Sequence, residues 1–314
     1  MTPTIPAVRP VKNHIGVSGG KDSTALLLWA VHESGYDPET LDVTFCDTGN
    51  EHVMTYAHVE MLSKKVCPIE WLKGKRDFFE LVKAHDRFPS PTVRFCTKEL
   101  KIRPTQKHIK KLVAEGNDVV MHSGIRSNES FARSKLVKRE ELRPHVTEYR
   151  PLLQWTIAEV WAIHARYGIP PNPLYELGAK RVGCFPCIMS RKLEIARAFE
   201  IGPTKFDKIR EYEGERRKGY GWNTFFEVHK TPMRFRSKKF RQKDGSYRVV
   251  ATIDDVVRLG NRKAGRRAVG ALQGTRHAGR RPHGLPKHLG ELRMTYAEKL
   301  QAAYYATERL RIPG

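Results

Sequence analysis

The chain has 314 residues, enough for one large domain or two smaller ones. With 39% hydrophobic residues, no apolar run long enough to span a bilayer and no apolar stretch near its start, it reads as a cytoplasmic protein with no membrane partner. Five cysteines exclude a disulfide scaffold, and of the net charge of +23, +16 falls between residues 201 and 314 (27 Lys+Arg against 11 Asp+Glu), a basic third that points to a polyanion such as nucleic acid.

In chain order, Ile15 to Val17 reads as a short buried strand. The small-residue turn Ser18-Gly19-Gly20 follows, and Lys21, Asp22 and Ser23 open a helix that runs to about Glu33. Leu41 to Phe45 is a second buried strand, ending at Cys46-Asp47-Thr48-Gly49. A helix is expected from about His52 to Lys64, a strand over Ile69 to Leu72 and a helix over Phe78 to Ala84. Thr97 starts a helical stretch towards Val113, with Pro104 as its point of interruption, and Asp118 to Ser123 is another strand. Strands alternating with helices predict βαβ units: an α/β fold with a parallel sheet and helices on both faces. In such sheets ligands sit beyond the carboxyl ends of the strands, which places Ser18–Ser23, Asp47–Gly49 and Gly124–Arg126 along one edge.

Further on, Thr156 with Glu159 forms a capping-box pattern for a helix ending near Tyr167. Cys184 and Cys187 make a Cys-x-x-Cys loop, and Lys192 to Phe199 returns to helix. Lys205 to Lys218 reads as a charged helix, and Asp244-Gly245 as a hairpin turn between two basic strands. Ile253 to Leu259 reads as a short helix, Gly260 to His288 as an Arg/Gly/His-rich stretch without apolar periodicity, and Tyr296 to Leu310 as a last amphipathic helix. The expected division is 1–200 for nucleotide binding and cysteine chemistry, and 201–314 as a basic region contacting nucleic acid.

Strand, glycine turn and helix start aim backbone N–H groups and the positive helix end at a phosphate. Gly19 and Gly20 let the backbone approach the anion, Lys21 adds a positive charge, and Ser18 and Ser23 add hydroxyl donors. The spacing is too short for the GxxxxGK[ST] loop. The hexapeptide SGGKDS resembles the pyrophosphate (PP) loop of the N-type ATP pyrophosphatases, which cleave ATP between its α and β phosphates. The resemblance implies a Rossmann-like PP-loop domain binding ATP. Asp22 and Asp47 are candidates to hold Mg²⁺ or to position the nucleotide, with Thr48 and Gly49 beside them. Gly124 followed by Arg126 suits a contact to an α-phosphate, because a guanidinium pairs two oxygens at once. Lys21, Asp22 and Arg126 are the expected catalytic residues. Glu129 and Arg133, four apart, read equally well as a helix pair.

Cys96, Cys184 and Cys187 are the candidate metal ligands: three thiolates fit a [4Fe–4S] cluster with one iron open, or zinc with a histidine as fourth ligand. Cys46 and Cys67 lie on apolar segments and read as core. Together SGGKDS, FCDTGNEH, RFCTKELKIRP, GIRSNES and the segment from Pro151 to Cys187 resemble the phosphoadenosine phosphosulfate reductase family, over roughly Asn13 to Glu200. Adenylyl-sulfate reductases of that family carry a tandem Cys-Cys and a later Cys-x-x-Cys around a [4Fe–4S] cluster. Cys96, Cys184 and Cys187 match three of these, and Phe95 stands at the fourth position. The reductases also use a late nucleophilic cysteine, and no cysteine follows Cys187. The PP-loop protein of DNA phosphorothioation and the cluster-dependent tRNA thiolases are similar too. That resemblance implies ATP activation of a nucleic-acid oxygen (DNA or tRNA), then sulfur delivery, with a sulfur donor such as a cysteine desulfurase. The expected function is therefore an adenylating iron–sulfur sulfurtransferase. A sulfonucleotide reductase and a catalytically inactive nucleotide-sensing DNA-binding protein are the alternatives. Arg234, Arg236, Lys238, Lys239 and Arg241, interleaved with Phe235 and Phe240, and a second cluster including Arg266 and Arg267, are the candidate nucleic-acid contacts.

Overall fold

A computed structural model describes residues 8–214, 224–225, 231–241 and 247–274. The chain divides into two compact units that interleave along the sequence. The first takes in residues 8–48, Val53–Lys75 and Lys98–Asn172. The second takes in Gly49–His52, Arg76–Thr97 and the described residues from Pro173 onward, so that residue 200 lies inside it.

The first unit is built on a six-stranded sheet. Its strands are β1 (Val11–Val17), β2 (Leu41–Asp47), β3 (Glu70–Lys73), β4 (Asp118–His122), β5 (Arg139–Arg143) and β6 (Val146–Tyr149), in the order β3-β2-β1-β4-β6-β5. All neighbours are parallel except β5, which runs antiparallel to β6 at the edge. This is the α/β fold with a mostly parallel sheet expected from the alternating pattern, and it agrees with the PP-loop, Rossmann-like domain that the resemblance of SGGKDS implies. The pair β5–β6 was not anticipated. The segment REELR has no apolar alternation because it is an edge strand exposed to water, and charges there discourage pairing with another chain.

Helices cover both faces. On one side α1 (Lys21–His32), α2 (Val53–Lys65) and α7 (Ile157–Arg166) close over Ile15, Val17, Val43 and Phe45. In α1, Leu26, Leu27 and Leu28 are all buried, so this helix is wrapped by apolar neighbours on more than one side. On the other face α5 (Arg103–Ala114) packs Ile109 and Leu112 against Val119 and Val146. The Thr156 capping box forms as expected: Thr156 Oγ1 accepts from the Glu159 N–H at 3.2 Å and Glu159 Oε2 accepts from the Thr156 N–H at 2.6 Å. Pro104 does not interrupt a helix. It sits in the first turn of α5, where its missing N–H costs nothing, after a wide π-type turn over Lys98–Ile102.

In the second unit, α3 (Phe78–His85) starts with its own capping box from Asp77 and Glu80, and α4 (Phe95–Thr97) is a single turn. α6 (Phe131–Ser134) is a similarly short helix of the first unit. Beyond Pro173 come α8 (Lys192–Ile201), α9 (Thr204–Gly214), the antiparallel pair β7 (Lys238–Arg241) and β8 (Tyr247–Val250), and α10 (Ile253–Gly274). The basic hairpin strands match expectation, whereas α10 runs fifteen residues past Leu259, through the Arg/Gly-rich stretch. Its first part is held by packing on α8. A Cβ on Gly260 would stand 2.3 Å from the Lys192 carbonyl oxygen, so glycine there lets the two helices approach closely. The expected helix over Tyr296 to Leu310, the turn at Asp244-Gly245 and residues 215–218 lie outside the described residues. Among the described residues no helix is long and apolar enough to cross a membrane.

Candidate nucleotide and thiolate sites

The order of the sheet fixes where a ligand can sit. From β1 the chain moves to β2 and β3 on one side, then returns across β1 to β4 on the other. The loops after β1 and β4 therefore part at the carboxyl end of the sheet and leave a crevice. The turn Ser18-Gly19-Gly20 lies there. Gly19 has φ +70, a conformation that side chains rarely adopt, and a Cβ on it would stand 2.9 Å from Thr55 Cγ2. Ser23 Oγ accepts from the Ser18 N–H at 3.1 Å and donates to the Gly20 carbonyl at 3.0 Å, so the two serines brace the turn internally. No side chain caps α1 at Gly20, and the positive end of the helix faces this crevice.

Two cations meet one carboxylate beside the turn. Arg126, from the loop after β4, donates from Nε to Asp22 Oδ1 at 2.7 Å, and Lys21 Nζ donates to Asp22 Oδ2 at 2.6 Å. The Arg126 side chain is only 7% exposed. Its NH1 donates to Asn128 Oδ1 at 2.8 Å, and its backbone N–H donates to Glu129 Oε2 at 2.9 Å. Burial pushes the Asp22 carboxyl up, but the hydrogen bonds and charges of Lys21 and Arg126 outweigh it and hold the group below the usual carboxylate range. One negative charge fixes two positive groups in place, and the trio keeps a net positive charge. Such a device can hold an anion at the turn. Gly124 passes close to the start of α1, where its Cβ would stand 3.0 Å from the Asp22 carbonyl.

Asp47 closes β2, accepting from Tyr56 Oη at 2.8 Å and pairing with Lys73 at 3.2 Å; Thr48 beside it is buried. Gly49 belongs to the second unit. Glu129 accepts from Arg133 as well as from the Arg126 backbone; the ion pair forms, but between a 3-10 turn over Ser127–Glu129 and α6, with Ser130 extended between them, rather than along one helix. Two supporting residues had no local signal in the sequence. Asn172 Nδ2 donates to the Gly19 carbonyl at 3.1 Å, and His164 Nε2 donates to the Lys21 carbonyl at 2.9 Å. Both hold carbonyls of the turn and of the first residue of α1 in place.

The second unit gathers Cys96, Cys184 and Cys187, all half-buried. Cys96 lies in the one-turn helix α4, after Phe95, whose ring stacks on His85. The Cys-x-x-Cys loop is tied to the FCDTGNEH segment. The Phe185 N–H donates to the Asn50 carbonyl at 2.6 Å, and Glu51 and Cys184 form an isolated antiparallel bridge. Cys184 Sγ lies 3.7 Å from Glu51 Oε1, and the Met189 N–H points at Cys187 Sγ at 3.4 Å, a donor suited to a thiolate. The three thiols are not gathered within 4.8 Å of one another, the spacing that a single ion would ask for. A cluster, with its irons at separate corners, holds its thiolates farther apart. Three soft sulfurs are a donor set that suits a [4Fe–4S] group, or zinc with a further ligand. Burial, with Lys205 adding to it, lowers His52 to about 4. Cys46 and Cys67 lie in the first unit, Cys46 Sγ beside Thr105 Oγ1 at 3.4 Å, while burial raises the Cys67 thiol.

Of the basic residues, Arg234 is exposed beside the ring of Phe235, 5.3 Å from its centroid. Arg236 is half-buried and donates from Nε to the Thr231 carbonyl at 2.7 Å, which gives it a structural task. For Lys238, Lys239, Arg241, Arg266 and Arg267 the backbone places the first three on β7 and the last two on α10, and their side chains lie outside the described residues.

Comparison with known proteins decides the family. The model of the phosphoadenosine phosphosulfate reductase domain matches residues 12–190, more than half of the chain. The chain belongs to the phosphoadenosine phosphosulfate reductase family. Among its relatives is an uncharacterized 37.8 kDa protein of Escherichia phage 186, 33% identical over 64% of this chain and 74% of the phage protein. An uncharacterized protein of Methanocaldococcus jannaschii is 32% identical over 66% of this chain, which spans only 43% of that relative's length. Among solved structures, the phosphoadenylyl-sulfate reductase of Candida auris, a phosphate complex, is 22% identical with a TM-score of 0.44, covering 58% of this chain and 84% of that one. Within the matched segment SGGKDS opens the first helix, and the Cys-x-x-Cys loop falls near its end.

Proposed function

We propose that this member of the reductase family is an ATP-dependent, adenylating sulfurtransferase that acts on nucleic acid. The observation that carries the reading is the Lys21–Asp22–Arg126 trio beside the glycine turn, a fixed positive device suited to the phosphates of ATP. In this reading the Ser18–Ser23 loop holds the nucleotide, and Asp47, Thr48 and Gly124 shape its surroundings. Mg²⁺ accompanies the phosphates. Asp22 acts by orienting the two cations, because its own oxygens are already engaged by them. An oxygen of the substrate attacks the α-phosphorus and pyrophosphate leaves. Lys21 and Arg126 stabilise the charge that develops on the phosphate oxygens. A sulfur nucleophile then displaces AMP. Cys96, Cys184 and Cys187 are the residues that would hold a [4Fe–4S] cluster, which when bound supplies the sulfur chemistry. A sulfur-donor protein such as a cysteine desulfurase completes the scheme, and the basic third meets the phosphate backbone of DNA or tRNA.

The test uses protein purified without oxygen. Iron content, visible absorption and ATP–pyrophosphate exchange in the presence of DNA or tRNA are measured together. Iron near four per chain with exchange supports the proposal; colourless protein without exchange sinks it. A second reading, a sulfonucleotide reductase, is favoured by the family itself. It predicts sulfite release from adenylyl sulfate, or from its 3′-phosphate form, with a thiol reductant and without ATP.

A further inference from the structure

On the face of the sheet that α5 covers, three side chains converge from three separate elements. His14 on β1 and Asp42 on β2 sit opposite each other in the parallel register, and His108 reaches down from α5. His14 Nδ1 donates to Asp42 Oδ2 at 2.7 Å, and His108 Nε2 donates to the same carboxylate at 2.9 Å. Both imidazoles are nearly buried, with side-chain exposures of 3% and 6%. Burial pushes the Asp42 carboxyl up, and the hydrogen bonds and charges of the two histidines outweigh it, so it stays charged well into acid. This group takes no part in the nucleotide site. Four residues of extended chain separate His14 from Ser18, roughly 13 Å along β1.

We propose that His14, Asp42 and His108 form a divalent metal site, with zinc as its ion. The donor atoms already lie within 4.8 Å of one another. Two imidazole nitrogens and one carboxylate are a common zinc donor set, which leaves a fourth position for water. Glu70 is placed to orient a metal-bound His108 from the outside. His108 Nδ1 lies 3.9 Å from Glu70 Oε1. With a metal on Nε2 the ring proton moves to Nδ1 and points at Glu70. That is the carboxylate–histidine–metal relay by which metal-bound imidazoles are usually oriented. Opening the contacts from hydrogen-bond length to the spacing around a zinc ion takes shifts of about half an ångström, within the reach of side-chain rotation. The Glu70 side chain is 58% exposed, so an ion can enter past it.

The experiment equilibrates the full chain with zinc chloride against a chromophoric chelator, and counts zinc bound per chain. The parent should bind one equivalent more than Asp42→Asn or His108→Gln, and zinc should raise its melting temperature by several degrees more than theirs. Glu70→Gln keeps the fold, because the residue is exposed, and should weaken that equivalent by about 10–100-fold. His145→Ala, which removes an exposed histidine elsewhere in the same unit, should change nothing. Equal zinc uptake and equal thermal response in the parent and in Asp42→Asn, with Glu70→Gln indistinguishable from both, would overturn the proposal.

Discussion

His58 gives a sharp test of how this core is built. It lies on α2 with no exposed surface, and neither ring nitrogen has a hydrogen-bond partner among the described residues. Burial, with a smaller push from the charge of His164, lowers its pKa from 6.5 to about 3. The folded ring therefore binds fewer protons than the unfolded one. The stability it contributes is present near neutral pH and is lost as pH falls from 6.5 towards 3. At pH 5 an unfolded histidine is about 97% protonated while the folded ring stays neutral, and linkage converts this to a loss of about 2 kcal/mol relative to pH 7.5. His58→Leu removes the titrating group and its two unpaired nitrogens at similar volume. The variant should equal or exceed the parent in stability at pH 7.5, and should lose about 2 kcal/mol less on going to pH 5. Urea midpoints followed by circular dichroism at both pH values, with unchanged slope m, measure the difference. Burial lowers His122 to about 4 and His52 likewise, so some acid loss persists in both proteins. If the two proteins show the same pH dependence, a fully buried neutral ring at position 58 is wrong.

Two further outcomes follow from the geometry. Arg126→Ala removes the guanidinium that Asp22 orients, and should weaken binding of a non-hydrolysable ATP analogue by about 10–100-fold in calorimetry, with little change in the far-ultraviolet spectrum. Gly260→Ala places a methyl group against the Lys192 carbonyl and Ala196, and should destabilise the α8–α10 pair by about 1–3 kcal/mol, read as a lower melting temperature.

What the sequence disclosed was local. SGGKDS announces a strand, a turn at positive φ and a helix start within one short stretch, and Thr156 with Glu159 announces a helix boundary in four residues. The alternation of strands and helices gives the parallel sheet for the same reason: each element carries its own apolar signature. What stayed hidden was set by tertiary contact. The edge strand β5 has no apolar period because water covers it. The length of α10 owes nothing to periodicity, and its first turns depend on Gly260 fitting against α8. Asn172 and His164 act on carbonyls some 150 positions earlier in the chain, and His14, Asp42 and His108 meet only once β1, β2 and α5 are assembled.

The way the second unit is stitched together bears on how the protein can be cut. Gly49–His52, the α3–α4 stretch, and the piece from Pro173 that carries both the cysteine loop and the last helices are three separated pieces of chain, and α8 buries Ile195 and Ala196 where α10 lies against it. A recombinant fragment trimmed to the family-matched span, 12–190, would discard both of those helices and strip the cysteine loop of its scaffold. Any shortened version meant for crystallisation or metal reconstitution has to retain the chain at least through the first turns of α10.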